Sequence, residues 1–310
     1  MNKYRPEGML LATRSNYEYT RDRAGLEAAM VRGAILEGVA TMCDHRLDLE
    51  VELGGGILGI IPRDEVLMPR DGEEVKDIAI LTRVGKPVSF KVMGFDLCRG
   101  RHVAILSRRA AQKECLENYI STLAPGDIIP TKITHLESFG AFVDIGCGIS
   151  SLLSIDTISV SRIAHPSARL SVGDMIHTVV KMIDARGRIY VSERELLGSW
   201  EENAELFSEG QTVRGIIRSV ESYGVFVELM PNLAGLAEYR ADARVGMSAA
   251  VYIKSIIPEK MKIKLIIIDM QEAPCEPTKL EYFIDTERVR HIDSWLYSPK
   301  SSSKVIESVF

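Results

Sequence analysis

Along most of this chain the apolar residues fall in short runs, alternating or β-branched, and glycine or turn residues close each run. Ile128–Ile133, Ala141–Ile145, Met175–Ile183 and Arg188–Ser192 are the clearest. Runs this short, bounded in this way, predict strands rather than helices. Helix-forming residues gather in two stretches between them, Ser107–Leu123 and Glu193–Phe207, and predict short helical linkers. Residues 1–32 make a leader with a predicted helix at Asp22–Arg32. Residues 270–310 make a tail whose aromatics, Tyr282, Phe283, Trp295 and Tyr297, predict docking rather than free disorder.

The strand pattern repeats. Leu136–Ile145 reads LESFGAFVDI and Val220–Leu229 reads VESYGVFVEL, with five of ten positions identical at an offset of 84 residues. The offset persists from Gly126 and Gly210 to Ser151 and Gly235. It falls to 73 at Gly173 and Gly246, so the later copy is shorter by one loop deletion. A fainter copy begins at Gly33 and ends on the run Val103–Ser107. Three units are therefore expected, at 33–108, 125–196 and 209–269. About five strands in each predict a mainly β chain of three tandem five-stranded barrels.

Composition narrows the classes. The 310 residues are 46% hydrophobic and 26% charged, which excludes wholesale disorder. No apolar stretch approaches the roughly 20 residues of a membrane span, and Met1–Glu7 has no secretory apolar core. The expectation is a soluble, cytoplasmic chain without a membrane partner. Cys43, Cys98, Cys115, Cys147 and Cys275 are scattered, and no histidine stands at ligand spacing beside them, so neither a disulfide framework nor a metal site is expected. Gly54–Gly59 matches G-x-G-x-x-G, but Ile60-Ile61-Pro62 follows as a strand and a break, which favours a turn over a dinucleotide site. Neither a P-loop, a nucleophile elbow nor a carboxylate cluster is present. No enzyme, cofactor or small-molecule substrate is expected.

The repeated Phe-Gly-x-Phe carries the candidate chemistry. Residues three apart on a regular strand face opposite sides, and a glycine between them allows a bulge that returns both rings to one face. Two neighbouring aromatics on a barrel surface make a stacking platform for unpaired bases, worth roughly 1–3 kcal/mol per base. With the HPSARLSVGD run of His165–Asp174 and the DARGRIYVS run of Asp184–Ser192, this series resembles the S-one RNA-binding domain, the OB-fold repeat of ribosomal protein one. Tyr4–Gly8 and Leu197–Asn203 resemble the same family in its short, few-repeat bacterial form.

The resemblance implies single-stranded RNA bound by two aromatics, a histidine, and an Asp-x-x-x-Arg pair. The second unit keeps Phe139, Phe142, Asp184 and Arg188, with Ser154 in place of the histidine. The third keeps Tyr223 and Phe226, with Lys262 for the arginine, Glu238 for the histidine and Pro258 for the aspartate. The first has Arg46, Leu49, Pro62 and Val103 at these places and has lost the platform. The expected ranking is second unit, then third, with the first a docking module. Formal charge is −1 over 33–109, −1 over 126–197 and +1 over 209–270, against −5 for the chain, so stacking rather than counterion release should dominate. The function implied is non-catalytic binding of messenger RNA in translation, with the 30S subunit as a further partner. The alternative is a protein-interaction scaffold whose RNA faces have decayed.

Overall fold

The structure is a computed structural model and describes residues 3–69, 75–98, 101–272 and 280–310; Cys275 and the Cys98 side chain lie outside the described residues. The chain is mainly β and divides into two compact units, Met1–Leu123 with Asp144–Ser150, and Ala124–Val143 with Ser151–Phe310.

The first unit opens with α1 (Arg14–Thr20) and α2 (Arg23–Arg32). Then come β1 (Leu36–Cys43), β2 (Leu49–Glu52), β3 (Leu58–Ile61), α3 (Arg63–Val66), α4 (Asp77–Leu81), β4 (Pro87–Cys98), β5 (Arg101–Ser107) and α5 (Arg108–Asn118). The strands run β1-β2-β3-β5-β4 and close through the β1–β4 pair. Asp22 caps α2 by accepting from the Gly25 amide, and left-handed Gly33 ends it, one residue inside the predicted span. Helix α1 carries no apolar stripe and was not expected. It forms because Thr13 caps it and the Asn16 side chain pairs with both backbone groups of Glu37. Leu26 and Ala29 of α2 complete a core with Val51, Ile61, Phe90 and Leu106.

Carboxylates anchor the leader from inside. The amides of Gly8, Leu10 and Leu11 donate to one Glu37 oxygen at 3.0, 2.8 and 3.1 Å. Glu7 accepts the Ser89 amide at 2.9 Å and two bonds from the buried Arg108 guanidinium at 2.6 and 3.0 Å. Its own amide donates to Asp144 at 2.7 Å. Gly148 packs here because a Cβ would lie 1.8 Å from Arg108.

The second unit contains β6 (Ile128–Glu137), β7 (Gly140–Asp144, whose last residue clusters with the first unit), β8 (Ser150–Ser154), α6 (Ile155–Ile158), β9 (Met175–Ile183) and β10 (Ile189–Ser192). After α7 (Trp200–Ala204) follow β11 (Thr212–Glu221), β12 (Gly224–Met230), β13 (Leu233–Ala237), β14 (Ser248–Ile257) and β15 (Lys262–Gln271). The strand orders are β10-β8-β7-β6-β9 and β11-β12-β13-β15-β14, each closing on itself. The single helix predicted at 193–207 is instead a 3-10 turn, Arg194–Leu197, and the short α7. Gly198 separates them at φ 80°, and Ser199 and Glu202 start α7 with reciprocal capping bonds.

Glu228 of β12 joins the two barrels of this unit. Arg169, from the segment between β8 and β9, grips its carboxylate with both terminal nitrogens at 3.0 and 2.5 Å, and Arg218 of β11 adds bonds at 3.0 and 2.9 Å. Asn232 accepts the Val160 amide and donates to the carbonyls of Arg194 and Gly198. The tail packs over the same ground. Trp295 and Tyr297 enter the core formed by Trp200, Ile217, Val227 and Leu265, and Tyr297 donates to the Asn232 carbonyl at 2.6 Å. Burying two such rings contributes about 2–3 kcal/mol each. Strands β16 (Ser294–Leu296) and β17 (Glu307–Val309) pair with each other. Burial pushes Glu193 up to about 8, and Tyr282 of the tail donates to it at 3.0 Å.

Two outcomes follow from these buried groups. Burial, with the charge of Glu7 alongside, outweighs the three amide donors and pushes Glu37 up to about 7, from an ordinary 4.5. A carboxyl with a raised folded-state pKa stabilises most below about 4.5 and loses that contribution as pH rises through about 7. Hydrogen exchange of the 8–16 amides, corrected for intrinsic rates, should therefore show less protection at pH 8 than at pH 5. Glu37→Gln should flatten that difference. In the second unit, Glu228→Ala strands two guanidiniums and should cost about 3–5 kcal/mol. Urea unfolding read by tryptophan emission measures it cleanly, since Trp200 and Trp295 both lie in this unit's core.

Candidate nucleic-acid interface

Phe139 sits in the turn between β6 and β7, and Phe142 stands on β7. Their rings meet edge-to-face, with centroids 6.1 Å apart and planes at 89°. Tyr223 and Phe226, between β11 and β12 and on β12, repeat this arrangement at 6.1 Å and 89°. The outer ring of each pair is the open one, with Phe139 52% and Tyr223 68% exposed.

The glycine between them acts differently from the expectation. No bulge forms at Gly224, whose ladder runs in register from Glu221 opposite Gly224 to Ser219 opposite Phe226. The outer ring escapes strand alternation because it belongs to the turn, and the glycine is needed for close approach of the next strand. A Cβ at Gly140 would lie 2.4 Å from the Leu153 carbonyl oxygen, and one at Gly224 2.5 Å from that of Ala237. The bulge nearest this turn lies on the neighbouring strand β11, between Ile217 and Ser219, where Arg218 is the extra residue.

Asp184 and Arg188 are brought together at the turn before β10. Asp184 accepts the amides of Arg186 and Arg188, both at 2.9 Å, and the Arg188 side chain at 2.7 Å. The Arg188 amide and side chain, together with the Arg186 amide, hold the Asp184 carboxyl below its usual range. Arg188 is thus aimed by a fixed carboxylate while its side chain stays 54% exposed. Ser154 ends β8 beside Gly140. In the third barrel Lys262 is exposed at the start of β15, Pro258 begins a 3-10 turn, and Glu238 is exposed just past β13. In the first barrel Leu49 and Val103 are buried and Arg46 is exposed, so these positions form no aromatic surface there.

Strand register exposes two neighbours that spacing could not reveal. His135 of β6 stacks on Phe142 at 6.5 Å and 24°. Phe226 pairs with Leu236, and Leu236 with Lys264. The 84-residue correspondence sets Phe142 opposite Leu152, as Gly140 faces Leu153 where Gly224 faces Ala237. Leu152 in turn pairs with Tyr190 of β10. The second barrel therefore presents the row His135, Phe142, Leu152, Tyr190. The third presents Ser219, Phe226, Leu236, Lys264.

Residues 122–194 match the sequence profile of the S1 RNA binding domain. The second barrel resembles an S1 domain. Over longer stretches the chain is similar to proteins named small ribosomal subunit protein bS1. That of Mycobacterium tuberculosis (strain CDC 1551 / Oshkosh) is 27% identical over 282 residues, covering 87% of this chain and 55% of that protein. That of Leuconostoc lactis is 29% identical over 206 residues, covering 61% and 47%. That of Staphylococcus saprophyticus is 33% identical over 160 residues, covering 49% and 39%. The chain spans about half the length of the first two of these relatives. Among the described residues no helix is long and apolar enough to cross a membrane.

The close approach at these two glycines makes a steric prediction. Gly140→Ala forces a backbone shift against Leu153 and should cost about 1–3 kcal/mol. Scanning calorimetry should show the lowered midpoint, and Gly224→Ala should behave alike.

Proposed function

We propose that this protein binds single-stranded RNA without catalysis, capturing messenger RNA in translation as a bS1-like factor. The observation that carries the reading is the aromatic pair with an open outer ring, formed twice with the same geometry, once on the barrel that matches the S1 RNA binding domain. Bases stack on such rings whatever their identity, so binding is tolerant of sequence. Arg188, aimed by Asp184, adds a planar cation that can lie on a base or fork onto a phosphate. The second barrel is the stronger unit. The third is weaker, because Lys262 lacks the planar fork and Glu238 repels phosphate. Covalent linkage of the two raises overall affinity through effective concentration.

The first barrel takes another role in this reading. It offers no ring pair, but Val39, Met42, Met93 and Leu97 are 37–60% exposed on its strands. Exposed apolar side chains on a barrel without a platform fit protein docking, and the small ribosomal subunit is the partner the relatives' name supplies.

Fluorescence-anisotropy titration with a 5′-labelled oligouridylate of about 12 nucleotides tests the RNA reading. Phe139→Ala with Phe142→Ala should weaken binding at least tenfold, at roughly 1–3 kcal/mol per lost stacking contact. Tyr223→Ala with Phe226→Ala should weaken it less. Unchanged affinity in the first variant favours the scaffold reading instead.

A further inference from the structure

The two rows start from the same frame and differ at their ends. In the second barrel His135 and Tyr190 flank Phe142 and Leu152, so three of four positions carry a ring. Three strand gaps of about 4.8 Å make the row about 14 Å long. Tyr190 points outward, since Ile189 and Val191 on either side of it are buried. It lies two residues past Arg188, which stands in the turn just before this strand. Its opposite neighbour on β9 is Met182, 46% exposed, which continues the apolar surface past the row's end. His135 is hydrogen-bonded to Glu137 at 2.8 Å, which fixes the imidazole against Phe142.

In the third barrel the same positions are Ser219 and Lys264, and the neighbour on β14 is Ser255. Only Phe226 supplies a ring within the row. Lys254, Lys260, Lys262 and Lys264 crowd the β14–β15 hairpin, all exposed, and none forms an ion pair with another described residue. Across residues 254–264 four lysines stand against one acidic residue, Glu259; Asp269 lies farther along β15, Glu238 just past β13, and the Glu209 carboxylate accepts the Ile256 amide.

From this contrast we infer a division of labour that rests on the RNA reading above: the second barrel holds bases on a row extended by His135 and Tyr190, and the third holds the phosphate backbone through Lys264. Ring stacking involves no released counterion and is insensitive to salt. A lysine on a phosphate releases counterion and lowers the slope of log K against log salt by about 0.7 for a single strand. The two barrels thus contribute distinguishable signatures to one measurement.

The experiment is a salt series, about 50 to 400 mM potassium chloride, on the full chain with the labelled oligouridylate. Tyr190→Ala is expected to lower affinity roughly tenfold at every salt concentration with the slope unchanged, and Tyr190→Phe to restore it. Lys264→Gln is expected to flatten the slope by about 0.7, with its loss of affinity greatest at low salt. Far-UV circular dichroism and the thermal midpoint confirm that each surface variant stays folded. If Tyr190→Ala binds normally while Phe139→Ala with Phe142→Ala fails to bind, the inference is overturned and the RNA reading stands. A Lys264→Gln slope equal to the parent's also overturns it. If the double phenylalanine variant binds normally, the RNA reading itself is what has failed.

Discussion

A carboxylate taken out of water has to be matched, and the second unit is organised around one such group. Glu228 is 3% exposed and held by Arg169 and Arg218. Neither guanidinium could stay buried there without it, so the segment between β8 and β9 is tied to β12 by electrostatic necessity rather than by packing alone. The position matters for function. Glu228 lies two residues from Phe226 on the same strand and shares its outward parity, with Val227 buried between them. One end of the third barrel's aromatic face is therefore bounded by the second barrel. The first unit uses the same device, with Glu7 on the buried Arg108. These buried carboxylates also account for much of the acidic composition. Among the described residues Glu7, Glu37, Asp144, Glu193, Glu195 and Glu228 are buried against Arg108 and Arg169, an excess of four formal negative charges in the interior. Little net negative charge is then left for the exterior, so stacking can act without strong overall repulsion.

The platform itself follows from a turn and a close contact. Its two copies share ring distance and angle although one outer ring is phenylalanine and the other tyrosine. Backbone path, not side-chain identity, sets the geometry. The glycine lets β8 or β13 come within reach of the β7 or β12 start, and that pins the turn which carries the outer ring. A ring held by the turn can stay exposed without weakening the barrel, because the strand residues on either side of the inner ring already fill the core.

Much of this was legible in the sequence, and the limits have physical causes. The glycine-bounded runs and the 84-residue offset located the strands, and the Asp22 cap with Gly33 located α2. That Phe139 lies against Phe142 and Asp184 against Arg188 was readable because each pair is close in sequence as well as in space. His135 and Tyr190 were not, since both are neighbours only across strands and register is invisible to spacing. Glu228 and Arg169 left no signal either. A buried ion pair 59 residues apart reads in sequence as two ordinary surface charges. The broken helix at Gly198 was missed because a left-handed glycine inside a helix-forming stretch outweighs the propensity around it.

The pattern of what varies between the second and third barrels points the same way. Interior positions match in kind: Ile133 with Ile217, Val143 with Val227, and Ile189 with Ile263 are all buried. The outer row diverges at both ends, His135 to Ser219 and Tyr190 to Lys264, because those side chains touch solvent and contribute little to the core. A barrel whose stability is settled inside leaves its outer row free to take different chemistries. The first barrel differs most: Leu49 and Val103 are core, and among its described residues these positions form no ring pair. Three barrels with one frame can then present three different surfaces, and the difference between them is decided by a handful of outward positions.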